Sequence, residues 1–197
     1  MVELEPARSA RGAEVRRVVL VEGVSDQVAV ETLARARARD LGAEGVVVAP
    51  LGGATNVGRQ LEALGPRGWG AKVAGLCDAG EERFFRRGLE SAGFGAVPDR
   101  DALEGLGFFV CAADLEDELI RALGADAVCP ALEGEGDLRA FRTFQKQPAQ
   151  RERSVERQLR RFLGTTKGRK AQYAHRLVKA LGPDAAPAPL DRLLHHI

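Results

Sequence analysis

Aromatic side chains are scarce in this chain: eight Phe, one Tyr and one Trp make up 5% of its 197 residues. The hydrophobic share of 45% is still that of a globular protein. The interior therefore has to be built mostly of Val, Leu and Ala. Cysteine is scarce too. Cys77, Cys111 and Cys129 are odd in number and show no C-x-x-C spacing, and the first two lie in apolar runs, as buried thiols of a reducing cytoplasm do. The three histidines, His175, His195 and His196, show no ligand spacing with carboxylates. No apolar run reaches membrane-spanning length and the N-terminus lacks a signal-peptide core, so the expectation is a cytoplasmic protein without a membrane partner. No G-x-x-x-x-G-K-[ST] motif occurs, and GTTKGRK at 164–170 has the wrong spacing, which excludes a P-loop within this sequence.

Net charge is also nearly absent, at +1, but its distribution is uneven. Residues 1–120 hold 14 Lys/Arg against 20 Asp/Glu, a net of −6, and residues 121–197 hold 15 against 8, a net of +7. Arg139–Lys179 is the extreme, with 13 basic and 2 acidic residues. An acidic half joined to a basic half fits a cation site beside a polyanion-binding surface. A solvated Arg-rich helical face fits the basic half equally well.

Strand and helix signals alternate along the first two thirds. Residues 1–14 are polar and read as a flexible arm. Val15–Val21 reads as a buried strand, and Ser25 as the cap of a helix from Asp26 to about Asp40, stopped by Gly42. Val46–Pro50 is a second strand, and a helix follows from about Asn56 to Leu64. Lys72–Cys77, a helix over Glu81–Ser91, the strand Phe108–Cys111 and a helix over Asp114–Leu123 complete the series. Four such alternations predict an α/β fold, a mainly parallel four-stranded sheet flanked by helices. From residue 137 onward helical periodicity takes over, at Leu138–Lys146, Ser154–Leu163, Lys167–Leu181 and Pro189–His196. The division expected is a core over 15–136 and a basic helical extension over 137–197 packed on it.

Three acidic clusters fall where strands should end: VVLVEGVSD (18–26), VAGLCDAGEE (73–82) and FFVCAADLEDEL (108–119). Carboxylates at the carboxyl ends of neighbouring parallel strands share one rim of the sheet, where α/β ligands bind. Crowded carboxylates repel one another unless protons or cations neutralise them, and oxygen ligands suit Mg²⁺ or Mn²⁺. Glu22, Asp26, Asp78, Asp114 and Glu116 are the candidate ligands, with Glu81 an auxiliary one. The helix N-terminus is expected to hold Asp26 as an anion. Each cluster alone is also explained as helix-start charges suited to the dipole, and only the convergence of three favours a site. The turn Gly52–Gly53–Ala54–Thr55–Asn56 lies on the same rim. Gly52, Gly53, Thr55 and Asn56 could cradle a phosphate there, or form a plain strand-to-helix turn. Lys167 is a candidate for neutralising charge in a transition state. Within the basic segment Arg160, Arg161, Arg169 and Lys170 are the candidate contacts to nucleic acid.

As an ordered set these motifs resemble the TOPRIM domain of topoisomerases, primases and OLD-family nucleases. EGVSD resembles the E-G-x-[ST]-[DE] segment of the OLD-type branch, LGGATNV its second-strand Gly-Gly turn, GLCDAGEE its Asp motif, DLEDEL its later acidic motif and KGRKAQYAHRL its Lys-Gly motif. The resemblance implies a Rossmann-like TOPRIM core and a Mg²⁺-dependent nuclease centre. Glu22, Asp26, Asp78 and Asp114 or Glu116 would be ligands, Glu22 and Asp78 catalytic, and Lys167 their assistant. Two departures stand out. The family's D-x-D reads Asp78–Ala79–Gly80 here, and the ATPase domain that accompanies OLD nucleases has no counterpart in this sequence. The expectation is a stand-alone form, or one that works with an ATPase on another polypeptide.

The leading reading is therefore metal-assisted phosphodiester hydrolysis, with DNA as the substrate and a homodimer as one assembly open to it. The alternative is a catalytically weak or inactive TOPRIM module that binds nucleic acid or a partner protein. A phosphotransferase or a receiver-like domain using Asp78 leaves Glu22 and Asp26 without a role.

Overall fold

A computed structural model describes residues 15–197; the arm expected over 1–14 lies outside the described residues. The strands are β1 (Arg17–Val21), β2 (Val46–Pro50), β3 (Lys72–Asp78) and β4 (Phe108–Cys111). They form one parallel sheet in the order β2-β1-β3-β4. Successive side chains of a strand face opposite sides, and the core divides accordingly. Val19, Val21, Val46, Val48, Ala74, Leu76 and Phe109 face one layer, and Val18, Leu20, Val73, Cys77, Phe108 and Val110 the other.

The second layer is small. It holds α2 (Val57–Leu64), α3 (Glu82–Ala92) and α4 (Arg100–Gly105). The first holds α1 (Val24–Ala36), α5 (Leu115–Leu123), α6 (Ala125–Gly134), α7 (Leu138–Gln145), α8 (Val155–Leu163), α9 (Arg169–Leu181) and α10 (Ala188–His196). The basic C-terminal helices therefore complete the layer that α1 begins. Buried Tyr173, Leu177 and Val178 of α9 join Ala29, Val30 and Leu33 of α1 in one core. Where β3 runs between β1 and β4, the sheet leaves no room for a side chain at Gly75. A Cβ on Gly75 would lie 2.6 Å from the Phe108 ring and 2.8 Å from the Leu20 carbonyl oxygen.

Several expected boundaries move. Helix α1 starts at Val24 with Gly23 as its N-cap, so Ser25 lies inside the helix and does not cap it. It also stops at Ala36, well before Asp40. Ala38 takes a left-handed φ of 56° and the Arg39 N–H returns to the Ala34 carbonyl. The Arg39 guanidinium then pins this corner to the chain's last turn through the Leu194 and Ile197 carbonyls. Two helices had no expected counterpart, α4 and α6. The first has six residues, and the second carries Pro130 within it.

Candidate metal centre

Sheet order places β1 and β3 side by side, although β2 lies between them in sequence. The helices leaving β1 and β3 go to opposite faces, so the carboxyl ends of these strands flank the crevice where open α/β sheets bind ligands. Glu22 follows β1 and Asp78 ends β3. They are joined directly: the Asp78 N–H donates to Glu22 Oε1 at 2.8 Å. The Gly-Gly turn comes to the same place, since the Gly53 N–H donates to the Glu22 carbonyl at 3.2 Å. Gly52 and Gly53 have φ of 68° and 130°, which favour glycine.

Asp26 sits in the first turn of α1, and its Oδ2 accepts the Gly23 N–H at 2.8 Å. This is half of a capping box, because glycine has no side chain to return the bond. The expected anion is not what results. Burial pushes the Asp26 carboxyl up to about 7, against the Gly23 hydrogen bond, with Glu116 and Glu22 adding repulsion. Burial likewise pushes Asp78 up to about 8, helped by Glu22, Asp26, Asp114 and Glu116. Glu22 is raised by burial against its bond from Asp78, with Glu81 repelling it further. The dipole of one helix end is worth too little to offset enclosure among like charges.

The third cluster reaches the same rim through α5. Asp114 is its N-cap: Oδ1 accepts the Asp117 N–H at 2.8 Å, and Oδ2 accepts Arg160 Nε at 2.6 Å. Glu116 is 3% exposed. Its Oε2 accepts Lys170 Nζ at 2.8 Å, and its Oε1 is buried without a hydrogen-bond partner. The remaining acids of the cluster turn elsewhere. Asp117 pairs with Arg121, and Glu118 joins the Ala112 N–H to Arg121. In the second cluster Glu82 pairs with Arg100 and Arg86, whereas Glu81 caps α3 without a side-chain bond.

The basic candidates separate clearly. Lys170 lies within the field of the rim. Burial alone would lower its ammonium, but the bond and charge of Glu116, with Asp114 and Asp26 behind, raise it. Lys167 is exposed in the turn before α9 and forms no ion pair with the rim carboxylates among the described residues. Arg169 is held inside the helical layer, stacked on Phe162 and bonded to the Phe162 carbonyl, Thr165 and Asp137. Arg161 is exposed on α8. At the Gly-Gly turn the Asn56 amide is spent on the Leu51 carbonyl, and Thr55 is exposed. The pairings of Arg160 with Asp114 and of Lys170 with Glu116 had no sequence signal, since 46 and 54 residues separate the partners.

Among the described residues no three His, Cys, Asp or Glu side chains stand as a ready-made cation site. One oxygen each of Glu22, Asp26 and Glu116, and both of Asp114, are taken up by backbone N–H groups, Arg160 and Lys170. The donor set nevertheless fits a hard divalent cation. All candidate donors are carboxylate oxygens, two of the carboxyls hold their protons near neutral pH, and one buried oxygen is unpartnered.

Residues 15–79 match the family model described as Overcoming lysogenization defect protein-like, TOPRIM domain. The span takes in Glu22, Asp26, the Gly-Gly turn and Asp78 and ends before the third cluster. No curated protein matches. The C-terminal region of the Xanthomonas campestris pv. campestris OLD protein is similar in structure, with a TM-score of 0.68 and 26% identity over 92% of this chain and 93% of that one. The C-terminal region of the Burkholderia pseudomallei OLD protein shares the fold, with a TM-score of 0.65 and 22% identity over 92% and 96%.

Proposed function

We propose, from the premise that the chain carries an OLD-like TOPRIM domain on the fold of the OLD C-terminal region, that it hydrolyses phosphodiester bonds in nucleic acid, with DNA as the substrate. The observation that carries this is the Glu22–Asp78 link across the crevice between β1 and β3, with Asp26 and Glu116 turned to the same rim. Glu22, Asp26, Asp78 and Glu116 would hold Mg²⁺ or Mn²⁺. When bound, the cation supplies Lewis acidity toward a phosphoryl oxygen and lowers the pKa of a water. Glu81, whose charge Glu22 senses, is the auxiliary acid nearest the position of Gly80.

The chain's own residues orient and compensate. Asp114, fixed between the Asp117 N–H and Arg160, braces the start of α5 and so holds Glu116 in place. Lys170, rather than Lys167, offers its ammonium toward phosphoryl oxygens, because its Nζ is bonded to Glu116 at the rim. Burial and mutual repulsion raise the Asp26 and Asp78 carboxyls to about 7 and about 8, so these two can hold or release a proton at their carboxyl oxygens in the neutral range. Thr55 and the Gly-Gly backbone flank the crevice on the β2 side, where a phosphate would lie. An ATPase on another polypeptide is part of the proposal through the likeness to OLD proteins, and a homodimer is compatible with it. Among the described residues no helix is long and apolar enough to cross a membrane.

Supercoiled plasmid incubated with the protein and Mg²⁺ or Mn²⁺ tests the reading. Nicking should appear with wild type and vanish with Glu22→Ala and Asp78→Ala. Nicking that persists unchanged in both variants belongs to a contaminant and sinks the proposal. One observation favours a second reading, a weak module that binds without cutting: Arg160 and Lys170 already neutralise the rim, and Gly80 stands where a second Asp is usual. Calorimetric titration with Mg²⁺ separates the two, since tight binding abolished by Glu22→Ala excludes the weak module.

A further inference from the structure

Beside the carboxylate rim lies a groove lined by Arg153, Arg157, Arg160, Arg161 and Asp114. The four arginines recur at helical spacing along one side of α8 and the residue before its Ser154 cap. The opposite side of the helix, Leu159, Phe162 and Leu163, is buried in the core. Arg157, Arg160 and Arg161 are therefore presented by a well-packed helix, and Arg153 by the turn that leads into it. Arg153, Arg157 and Arg161 are exposed. Arg157 and Arg161 have no ion-pair partner among the described residues. The acid on the helix, Glu156, bonds to Ser154 and lines the neighbouring hollow with Asp117 and Arg121. Arg160 belongs to both places: it lines the groove, and its Nε holds Asp114 at the edge of the centre.

We propose that this arginine face of α8 is the docking track for a nucleic-acid backbone, and that Arg160 is the residue at which the track meets the carboxylate centre. The occupant follows from charge and length. Four guanidiniums against a single carboxylate call for a polyanion, and arginine's planar fork suits phosphate oxygens. From Arg157 to Arg161 the helix advances about 6 Å at the helical rise, roughly two phosphates of a strand, and Arg153 lengthens the row beyond the Ser154 cap. A single small anion would leave most of the row unused. The track is not among the carboxylates, and the reading that they cut the strand is a separate claim on which only its purpose rests.

The test is binding of a fluorescein-labelled DNA duplex by anisotropy in EDTA, titrated across salt. Arg157→Ala/Arg161→Ala should weaken binding at every salt concentration and reduce the slope of log K against log [salt] by about 1.8, at ~0.9 per phosphate contact. Arg67→Ala/Lys72→Ala, with the same change in charge at the other end of the sheet, should leave both unchanged. Equal effects of the two pairs, or no binding by wild type at low salt, overturn the proposal. Melting temperatures of the variants show whether each is folded. If wild type binds through α8 yet never nicks with metal, the track stands and the nuclease reading falls. If wild type nicks and the α8 pair nicks with unchanged KM, the nuclease reading stands and the track falls.

Discussion

Asp78→Asn should stabilise the metal-free protein, and only at higher pH. Asp78 is half-buried at the end of β3, facing Glu22, Asp26, Asp114 and Glu116, and its carboxyl is displaced from 3.8 to about 8. Below 3.8 the folded and unfolded chains both carry the proton. As pH rises past 3.8 the unfolded chain loses it while the folded chain keeps it, so stability falls until the folded carboxyl ionises near 8, and is level above that. Unscreened, this displacement corresponds to about 6 kcal/mol. Solvent reaches the group, and screening reduces the effect to about 1–3 kcal/mol. Asparagine keeps the shape without the ionisation. In a chain of this size each kcal/mol moves the melting temperature by about 2–4 °C. Thermal melts in EDTA should therefore show the variant level with wild type near pH 4 and about 2–12 °C above it at pH 8.5. Saturating Mg²⁺ should close the gap from the wild-type side. An offset independent of pH, or no gap at pH 8.5, would refute the claim that the rim stores electrostatic repulsion.

Lys170→Met leaves Glu116 buried without its cation and should lower the urea midpoint by the equivalent of about 2–3 kcal/mol, with Glu116→Gln added to it recovering part of the loss. Gly75→Ala forces a Cβ against Phe108 and the Leu20 carbonyl and should cost about 2–3 kcal/mol in the same assay. Gly105→Ala, where the added Cβ meets nothing within 4 Å, should be neutral or slightly stabilising.

The sheet was legible because its strands are short β-branched runs with clear stops. Phe108–Cys111 falls on the expected residues, and all four strands are parallel as the alternation with helices requires. Helix ends were less legible where a distant group decides them. Nothing near Ala36 announces that Arg39 will be held by the last turn of the chain, so the helix was read four residues too long. Of the site, the strand-end acids could be read because each ends an apolar run. Which lysine faces them could not. Lys167 and Lys170 are equally basic in the sequence, and one turn of backbone separates an exposed side chain from one bonded to Glu116. Arg169 shows the same limit in reverse, since its place in a basic run hides a guanidinium spent on Phe162 and Asp137.

The uneven charge along the chain now has a structural cause. The acidic first part builds a rim of carboxyl groups at the strand ends, and the basic last part folds back to place Arg160 and Lys170 on two of them. The direct ion pairs reach only α5 among the described residues. Asp26 and Asp78, nearer the crevice, have no cation of their own, and their carboxyls are the ones driven up to about 7 and 8. A fold that needed only to be stable would place its bases there or remove the acids. On the proposed function, leaving the repulsion at the crevice while neutralising it one helix away would keep the crevice receptive to an external cation, and the remaining arginines of α8 continue the positive surface outward from Asp114. The parallel pairing of β1 with β3 fixes the spacing across that crevice, and the bond from the Asp78 N–H holds the Glu22 carboxyl over it.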